Sequence, residues 1–391
     1  MTRLASIKGF FLFIFIFFGF FSLSAEIFSD DNYKFSFDLP EGYSLIDYSK
    51  DGSGYLLSFE PLNISLVIKI NYNEDSSVNE ILNTNLSKLN AKSSIDTFKW
   101  NDSISAISTF TINLEKAYPG WGITTALQAK NTYITVLAYC DEKTFNNYER
   151  FIISTINSLN VNQDFYNCPG IIISYAFQKE GNQNICLNIE NTKINTTIDK
   201  SDLEASQFLV DMEYSVLAMY ANNQFWKEAW QRYYRCIYRD SYSRIENAGR
   251  DIYKNLYNKA KKENPQNAEI KYAQYLLSWV QNFDYKRADN KNSSDFTPLP
   301  AVLTGEGNDC DSRSLLVALL LKQIGIESLL LISNEYSHAM VATEIEAPGQ
   351  IYSLEGSDRY FIFGETTAKV TWGMINADFQ DQSKWIVVIL P

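Results

Sequence analysis

The sequence predicts an α+β protein with more than one domain, and three observations lead to this prediction. The chain has 391 residues, which is more than a single hydrophobic core usually contains. Runs of alternating apolar and polar residues, typical of strands, are interleaved with helical patterns in the first and last thirds. Helical periodicity dominates the middle. We therefore expect an N-terminal sheet-and-helix sandwich, a central helical segment and a C-terminal α+β domain.

The first 25 residues have the pattern of an export signal. Arg3 and Lys8 give a positive start, residues 9–21 are apolar, and residues 22–25 are mostly small and suit cleavage. The apolar run is short for a membrane span, which needs about 20 residues. We expect a signal peptide over residues 1–25 and a periplasmic or extracellular protein. The alternative is an uncleaved signal that anchors the protein to a membrane.

The composition argues against nucleic acid as a partner. The chain has 46 acidic and 34 Lys or Arg residues, which gives a formal net charge of −12 at pH 7. Phosphate backbones attract basic surfaces, so we expect no nucleic-acid partner.

The five cysteines are Cys140, Cys168, Cys186, Cys236 and Cys310. In an exported chain an odd number leaves at least one thiol outside any disulfide. Cys168 and Cys186 bracket two strand-like runs and could form a disulfide, although spacing alone does not establish the geometry. No pair has CxxC spacing, and one histidine cannot supply a multi-histidine zinc site. We expect no metal and no cofactor.

Residues 27–162 read as an α+β domain. Strands are predicted over 33–37, 55–59, 64–70, 106–114, 122–129 and 132–139, and helices over 78–89 and 145–159. This order suits a sheet with helices packed against it. The runs YKFSFDLPEGYSL, WGITTALQAKNTYITVLAYC and YERFIISTINSL resemble the α/β/α sandwich of the PsbP and Mog1 type. The resemblance implies a binding or adaptor role and brings no catalytic residues.

The middle of the chain changes from strand-like to helical patterns. Residues 163–200 read as a β-rich connector, and Ser201 opens a capping-box pattern before a helical region over 201–267. A further helix is predicted from about residue 265 to Gln281. The aromatic stripes of this region indicate core packing between helices, with a ligand groove as the alternative.

Residues 268–391 form the last predicted domain. A loop leads to Asp309, a good N-cap for a helix whose apolar segment is 315–324, so Cys310 falls in its first turn. Strands are predicted over 328–332, 338–345, 351–354, 360–363 and 385–390.

Three residues of this domain supply the groups that a cysteine nucleophile needs: the thiol of Cys310, the imidazole of His338 and the carboxylate of Glu365. His338 is the only histidine in the chain. A helix N-terminus favours the thiolate, and its N–H groups can hold an oxyanion. His338 would exchange a proton with the thiol and the leaving group, and Glu365 would fix the imidazole tautomer. Structural roles for the same residues are the alternative.

Four further polar residues have expected roles near this site. Gln281 and Tyr285 are candidates for an additional oxyanion donor, with core or surface positions as the alternative. Asp309 and Asp311 are expected to act as a cap and a loop charge rather than as catalysts.

The motifs of this domain resemble a known enzyme family. The runs GEGNDCDSRSLLVALLLKQIGIESLLL, SHAMVATEI and YFIFGETT resemble the bacterial transglutaminase-like superfamily of papain-type cysteine enzymes. The resemblance implies a papain-like fold over 268–391 and acyl transfer at amide bonds without a cofactor. The family's cysteine corresponds to Cys310 and its histidine to His338. Its third residue is usually Asp, whereas this chain has Glu365, with Asp358 as the fallback.

These observations lead to one function and one alternative. We expect an exported thiol peptidase, amidase or transglutaminase that acts on protein or cell-wall peptide. Whether water or a lysine amine takes the acyl group depends on the shape of the cleft. The alternative is an inactive transglutaminase-like protein that serves as an interaction or scaffold module in the cell envelope.

Overall fold

The computed structural model is mixed α+β, as the sequence predicts. It describes residues 27–73, 75–162, 166–284, 294–307 and 309–391. The predicted signal peptide therefore lies outside the described residues. Among the helices within these ranges, none combines the length and the apolar character needed to cross a membrane.

The chain divides into two compact units. The first holds residues up to Tyr166, with Gly170–Ala176 and Ser215–Ala229, and the second holds Asn167–Pro169, Phe177–Tyr214 and Trp230–Pro391. The finer domain boundaries expected from the sequence stay predictions.

The first unit is built around an antiparallel sheet. The strands from its start to residue 160 are β1 (Phe28–Asp30), β2 (Phe35–Phe37), β3 (Ser44–Tyr48), β4 (Gly54–Phe59), β5 (Ile64–Tyr72), β6 (Ala91–Trp100), β7 (Ser103–Asn113), β8 (Ala117–Ala126), β9 (Thr132–Tyr139) and β10 (Leu159–Asn160). The helices up to residue 176 are α1 (Val78–Lys88), α2 (Glu142–Asn157) and α3 (Ile171–Ala176). Seven strands pair in the order β3-β4-β5-β9-β8-β7-β6, and β1, β2 and β10 form a separate sheet.

Helices α1 and α2 cover opposite faces of the seven-stranded sheet. Leu82 of α1 belongs to a buried cluster with Leu137 of β9. Phe151 of α2 packs against Phe59 of β4 with ring centroids 4.6 Å apart. The strand register places Phe59 on the face opposite Leu137, because side chains alternate along a strand. The expected sheet with packed helices is therefore present.

Two strands of this sheet were not predicted. Most side chains of β3 and β6 are exposed or half-buried, because both strands lie at the edges of the sheet. An edge strand with little burial lacks the strong alternation by which strands are recognised.

The rest of the chain contains a hairpin, helices and a second sheet. Its strands are β11 (Asn182–Ile189), β12 (Thr192–Asp199), β13 (Ser328–Ser333), β14 (His338–Thr343), β15 (Ile351–Ser353), β16 (Tyr360–Gly364) and β17 (Ile386–Ile389). Its helices are α4 (Asp202–Leu217), α5 (Trp226–Arg244), α6 (Glu246–Glu263), α7 (Ala268–Val280), α8 (Leu299–Ala301) and α9 (Cys310–Lys322), with a π-helical turn over Val302–Glu306.

The hairpin β11–β12 lies in the segment predicted as a β-rich connector. Cys186 is exposed in β11 opposite Asn195. No disulfide joins Cys168 to Cys186, so the disulfide that the spacing left open is not formed.

The second sheet positions the C-terminal residues of interest. Its five strands are antiparallel in the order β15-β16-β14-β13-β17. One face carries a buried cluster that includes Met340, Phe363 and Trp385. The alternate residues Leu330 and Val341 are also buried, because α9 packs against β13 and β14. Both faces of the central strands are therefore covered, and their side chains are held rigidly.

Gly364, at the end of β16, gives a test of this packing. A Cβ at residue 364 would collide with the ring of Trp372 and lie 2.8 Å from Val341 Cγ1. We expect Gly364→Ala to lower the free energy of unfolding by about 1–3 kcal/mol, measured by urea denaturation. Ser353→Ala, at an exposed position of the same sheet, should have little effect. Equal stability of the two variants would contradict this packing.

Candidate active site

Three elements of the second unit bring the predicted site residues to one region. Cys310 is the first residue of α9, His338 is the first residue of β14, and Glu365 directly follows β16. Strand β16 pairs with β14, and α9 packs against β14. The residues are far apart in the sequence, but the elements that carry them are neighbours.

Asp309 fixes the start of α9. Its Oδ1 accepts a hydrogen bond from the Ser312 N–H at 2.7 Å, and its Oδ2 accepts from the Thr297 N–H and hydroxyl at 3.2 and 3.0 Å. The cap predicted from the sequence is therefore formed. It places Cys310 at the positive end of the helix, where a thiolate is favoured.

A tight turn and two aromatic rings position His338. Ser333 and His338 are paired at the ends of β13 and β14, and Ser337 between them has a left-handed φ of 49°. The imidazole lies against Phe379, with ring centroids 5.2 Å apart, and near Trp385, at 6.5 Å. The side chain is only 10% exposed. These contacts leave the ring little freedom to rotate.

The carboxylate of Glu365 binds the imidazole. Glu365 Oε2 lies 2.8 Å from His338 Nε2, and its Oε1 accepts from the N–H and hydroxyl of Thr367, both at 2.7 Å. Burial alone raises the pKa of this carboxyl, but the hydrogen bonds from His338 and Thr367 outweigh burial and lower the pKa below its ordinary value. An ionised carboxylate accepts a hydrogen bond from Nε2–H, which leaves Nδ1 as the nitrogen that can exchange a proton.

Cys310 and His338 line one cavity. Its volume is about 160 Å³. The remaining lining residues are Trp230, Tyr234, Asp295, Asp309, Asp311, Ile332, Ser333, Asn334, Ser337 and Ala339. Cys310 is 6% exposed, so the opening to its side chain is narrow.

Two of the other sequence candidates, Gln281 and Asp358, are not among the residues that line the cavity. The amide nitrogen of Gln281 donates to the carbonyls of Glu365, at 2.8 Å, and Val370, at 3.0 Å. These two hydrogen bonds hold the backbone around Glu365, and the oxyanion role of Gln281 stays a prediction. Tyr285 lies outside the described residues. Asp358 is exposed, and Glu365, not Asp358, contacts His338.

Arg313 is a structural residue of the site that sequence reasoning missed. It is 1% exposed, and it donates to the carbonyls of Gly307 at 2.8 Å and Phe283 at 2.9 Å, with a longer contact to Thr366 at 3.5 Å. It therefore ties the loop before Cys310 to the segment after Glu365. The signal in the sequence is an arginine two residues before the apolar run 315–321, since a buried cation requires partners.

A second missed feature is the wall formed by α5. Trp230 and Tyr234 are stacked with ring centroids 5.8 Å apart, and the Tyr234 hydroxyl donates to Asp311 Oδ2 at 2.6 Å. Burial and the neighbouring Asp309 raise the pKa of Asp311 well above its ordinary value. Spacing along the chain gives no hint of this contact, because it joins residues 77 positions apart.

Comparisons with known proteins identify no family for this chain. No family model matches it, and no curated protein matches it. The chain is similar to the solution structure of the cyanobacterial PsbP (CyanoP) from Synechocystis sp. PCC 6803, with 13% identity over 38% of this chain and 98% of that chain and a TM-score of 0.30. It is also similar to the Ran-binding protein Mog1p of Saccharomyces cerevisiae, with 11% identity, 35% and 94% coverage and a TM-score of 0.27.

Both structures match the N-terminal part of the chain weakly. This is the part in which the sequence resembles the PsbP and Mog1 type. No comparison supports the transglutaminase-like resemblance of residues 268–391, which stays a prediction.

The Glu365 carboxylate gives a pH-dependent test of the site. Because its folded pKa is below the unfolded value near 4.5, it contributes stability that is fully present above that pH and is lost as the pH falls through the folded pKa. We expect Glu365→Gln to be less stable than the unmodified protein near neutral pH, by about 1.4 kcal/mol for each unit of pKa lowering. Urea denaturation across this pH range should show the difference shrinking in acid.

Glu355→Gln is the matched control for this measurement, because Glu355 is exposed. It should leave the pH dependence of stability unchanged. A difference for Glu365→Gln that stays constant from neutral to acid pH would show that the carboxylate is not held as described.

Proposed function

We propose that this protein is a cysteine-dependent acyl-transfer enzyme that acts on peptide amide bonds. The observation that carries the proposal is the 2.8 Å contact between His338 Nε2 and Glu365 Oε2, with His338 and Cys310 in the walls of one cavity. A thiol, an imidazole and an orienting carboxylate are the parts of a cysteine nucleophile. A papain-like, transglutaminase-like fold of residues 268–391 is part of the proposal.

The proposed chemistry uses these three side chains. His338 takes the thiol proton on Nδ1, and the Cys310 thiolate attacks the amide carbonyl carbon. The tetrahedral intermediate collapses as the imidazolium gives its proton to the leaving amine, so a thioester replaces the amide. Water or a second amine then attacks the thioester, His338 accepts the proton of that nucleophile, and the thiol is restored.

The role of Glu365 is to keep the imidazole in one tautomer and to stabilise its charged form. Its carboxylate is held on the other side by two hydrogen bonds from Thr367. In this proposal the longer Glu365 side chain orients the imidazole, which is the role of the Asp in the transglutaminase-like family that the sequence resembles. The substrates in this proposal are proteins or cell-wall peptides met after export.

One observation favours a second candidate function, an inactive interaction or scaffold module. The Cys310 side chain is only 6% exposed, and a thiol that no substrate reaches would be structural. Its reactivity separates the two functions.

Thiol labelling tests the proposal without a known substrate. We expect iodoacetamide near neutral pH to alkylate Cys310 in the folded protein more than about tenfold faster than Cys186, an exposed thiol of the same chain. The physical reason is that an ordinary thiol, with a pKa near 8.5, is only a few per cent thiolate at this pH. Peptide mass spectrometry over time gives both rates from one sample.

The same labelling experiment also tests whether His338 acts as the base for Cys310. His338→Gln should bring the Cys310 rate down to that of Cys186 or below and leave the Cys186 rate unchanged, because the base that removes the proton is lost. If Cys310 in the unmodified protein reacts no faster than Cys186, the enzyme proposal fails and the scaffold function is favoured.

Export is a separate part of the proposal and rests on the sequence alone. We expect the protein isolated from a Gram-negative bacterium expressing the full chain to begin after about residue 25 and to be found outside the cytoplasm. Intact-mass measurement of fractionated cells checks this. A retained residue 1–25 segment in the membrane fraction would instead support the uncleaved anchor.

A further inference from the structure

We infer that this site selects substrates that carry a primary ammonium group close to the amide bond that Cys310 attacks. The inference rests on the proposed function and names the substrate class of the same site. Four observations support it. They are the charge of the cavity, its aromatic wall, the place of Asp311 beside Cys310, and the fact that the described residues contain no group of three or more side chains that could hold a metal ion instead.

The cavity is acidic. Asp295, Asp309 and Asp311 contribute to its walls, and its described lining residues include neither lysine nor arginine. A cleft lined by charge of one sign concentrates ligands of the opposite sign. Asp309 is engaged as the helix cap, and Asp311 Oδ2 accepts from the Tyr234 hydroxyl. The carboxyl group most open to a ligand is therefore that of Asp295, which is exposed.

The aromatic wall suits a cation as well. Trp230 and Tyr234 stack with an interplanar angle of 25°, and both line the cavity with the carboxyl groups. An ammonium group is attracted to the face of an indole or phenol ring. Carboxyl groups beside aromatic faces therefore provide both the charge and the apolar surface that an alkylammonium group prefers.

Asp311 relates this binding surface to the nucleophile. It follows Cys310 in the first turn of α9, so its carboxyl group and the thiol belong to the same cavity. Burial and Asp309 raise the pKa of Asp311, because its ionised form would be buried beside a second carboxyl group. An ammonium bound at this wall would offset that charge while the adjoining carbonyl lies at Cys310.

A metal ion is the other cation to weigh. Among the described residues, no group of three or more His, Cys, Asp or Glu side chains is arranged to hold one. An ammonium needs fewer converging ligands, because one or two carboxylates and an aromatic face are enough. The geometry therefore favours an organic ammonium.

Thiol reagents with the same reactive group and different charges test the inference. Ethylammonium and ethylsulfonate methanethiosulfonates differ in charge, and the methyl reagent is neutral. In each case the thiolate attacks the thiosulfonate sulfur, a mixed disulfide forms and methanesulfinate leaves. We expect the rate ratio of the cationic to the anionic reagent to be at least about tenfold higher at Cys310 than at Cys186, and to fall with added salt.

Variants of the carboxyl groups locate the selectivity. Asp295→Asn should lower several-fold the ratio of the cationic to the anionic rate at Cys310, with each rate divided by the rate for the neutral reagent on the same variant. Asp358→Asn is the matched control, because Asp358 is exposed and is not among the lining residues, and it should leave this ratio unchanged. Trp230→Leu should weaken the preference for the cationic reagent in the same direction as Asp295→Asn.

The outcomes separate the inference from the function on which it rests. Fast reaction of Cys310 with the neutral reagent and equal charge ratios at Cys310 and Cys186 would overturn the ammonium selectivity and keep the enzyme proposal. Slow reaction of Cys310 with all three reagents would overturn both. A cation preference that Asp358→Asn removes as completely as Asp295→Asn would show a general surface effect and would also overturn the inference.

Discussion

The start of helix α9 is the constraint on which the rest of the site depends. Asp309 caps the helix from one side, and the buried Arg313, one turn later, holds the loop carbonyls that precede and surround it. A buried guanidinium is tolerated only where its N–H groups have partners, so the three segments it touches must stay in register with the helix. The position of Cys310 is therefore set by charged groups, and apolar packing of α9 against β13 and β14 supplies the stability behind it.

The C-terminal sheet sets the positions of His338 and Glu365, as the start of α9 sets that of Cys310. Adjacent antiparallel strands place the start of β14 near the end of β16, and a side chain at each position completes the pair. Removing a carboxylate from water is costly, and Glu365 recovers that cost through hydrogen bonds from His338 and Thr367. Gln281 adds a bond to the Glu365 carbonyl. Both carboxylate oxygens are engaged, so the imidazole that binds one of them is held in one orientation.

The sequence predicts the parts of this arrangement that have local signatures. An Asp before an apolar run indicates a cap and a helix start, the single histidine of the chain lies at the start of a strand pattern, and Glu365 ends another. Arg313, Thr367 and Tyr234 could not be assigned in this way, because their roles depend on which segments meet in space. The strands β3 and β6 were missed for a related reason: an exposed edge strand is defined by its neighbour's hydrogen bonds and not by its own pattern of burial.

The charged and polar groups around Cys310 have opposite effects on the stability of its thiolate. The helix N-terminus and His338 favour a thiolate, whereas two ionised carboxylates at Asp309 and Asp311 would disfavour it. Asp309 directs its charge into hydrogen bonds with Ser312 and Thr297. Burial and Asp309 raise the pKa of Asp311, which opposes a second negative charge beside the sulfur. In the ammonium selectivity that we propose, a bound cation would compensate a carboxylate beside the sulfur, whereas an anionic ligand would not.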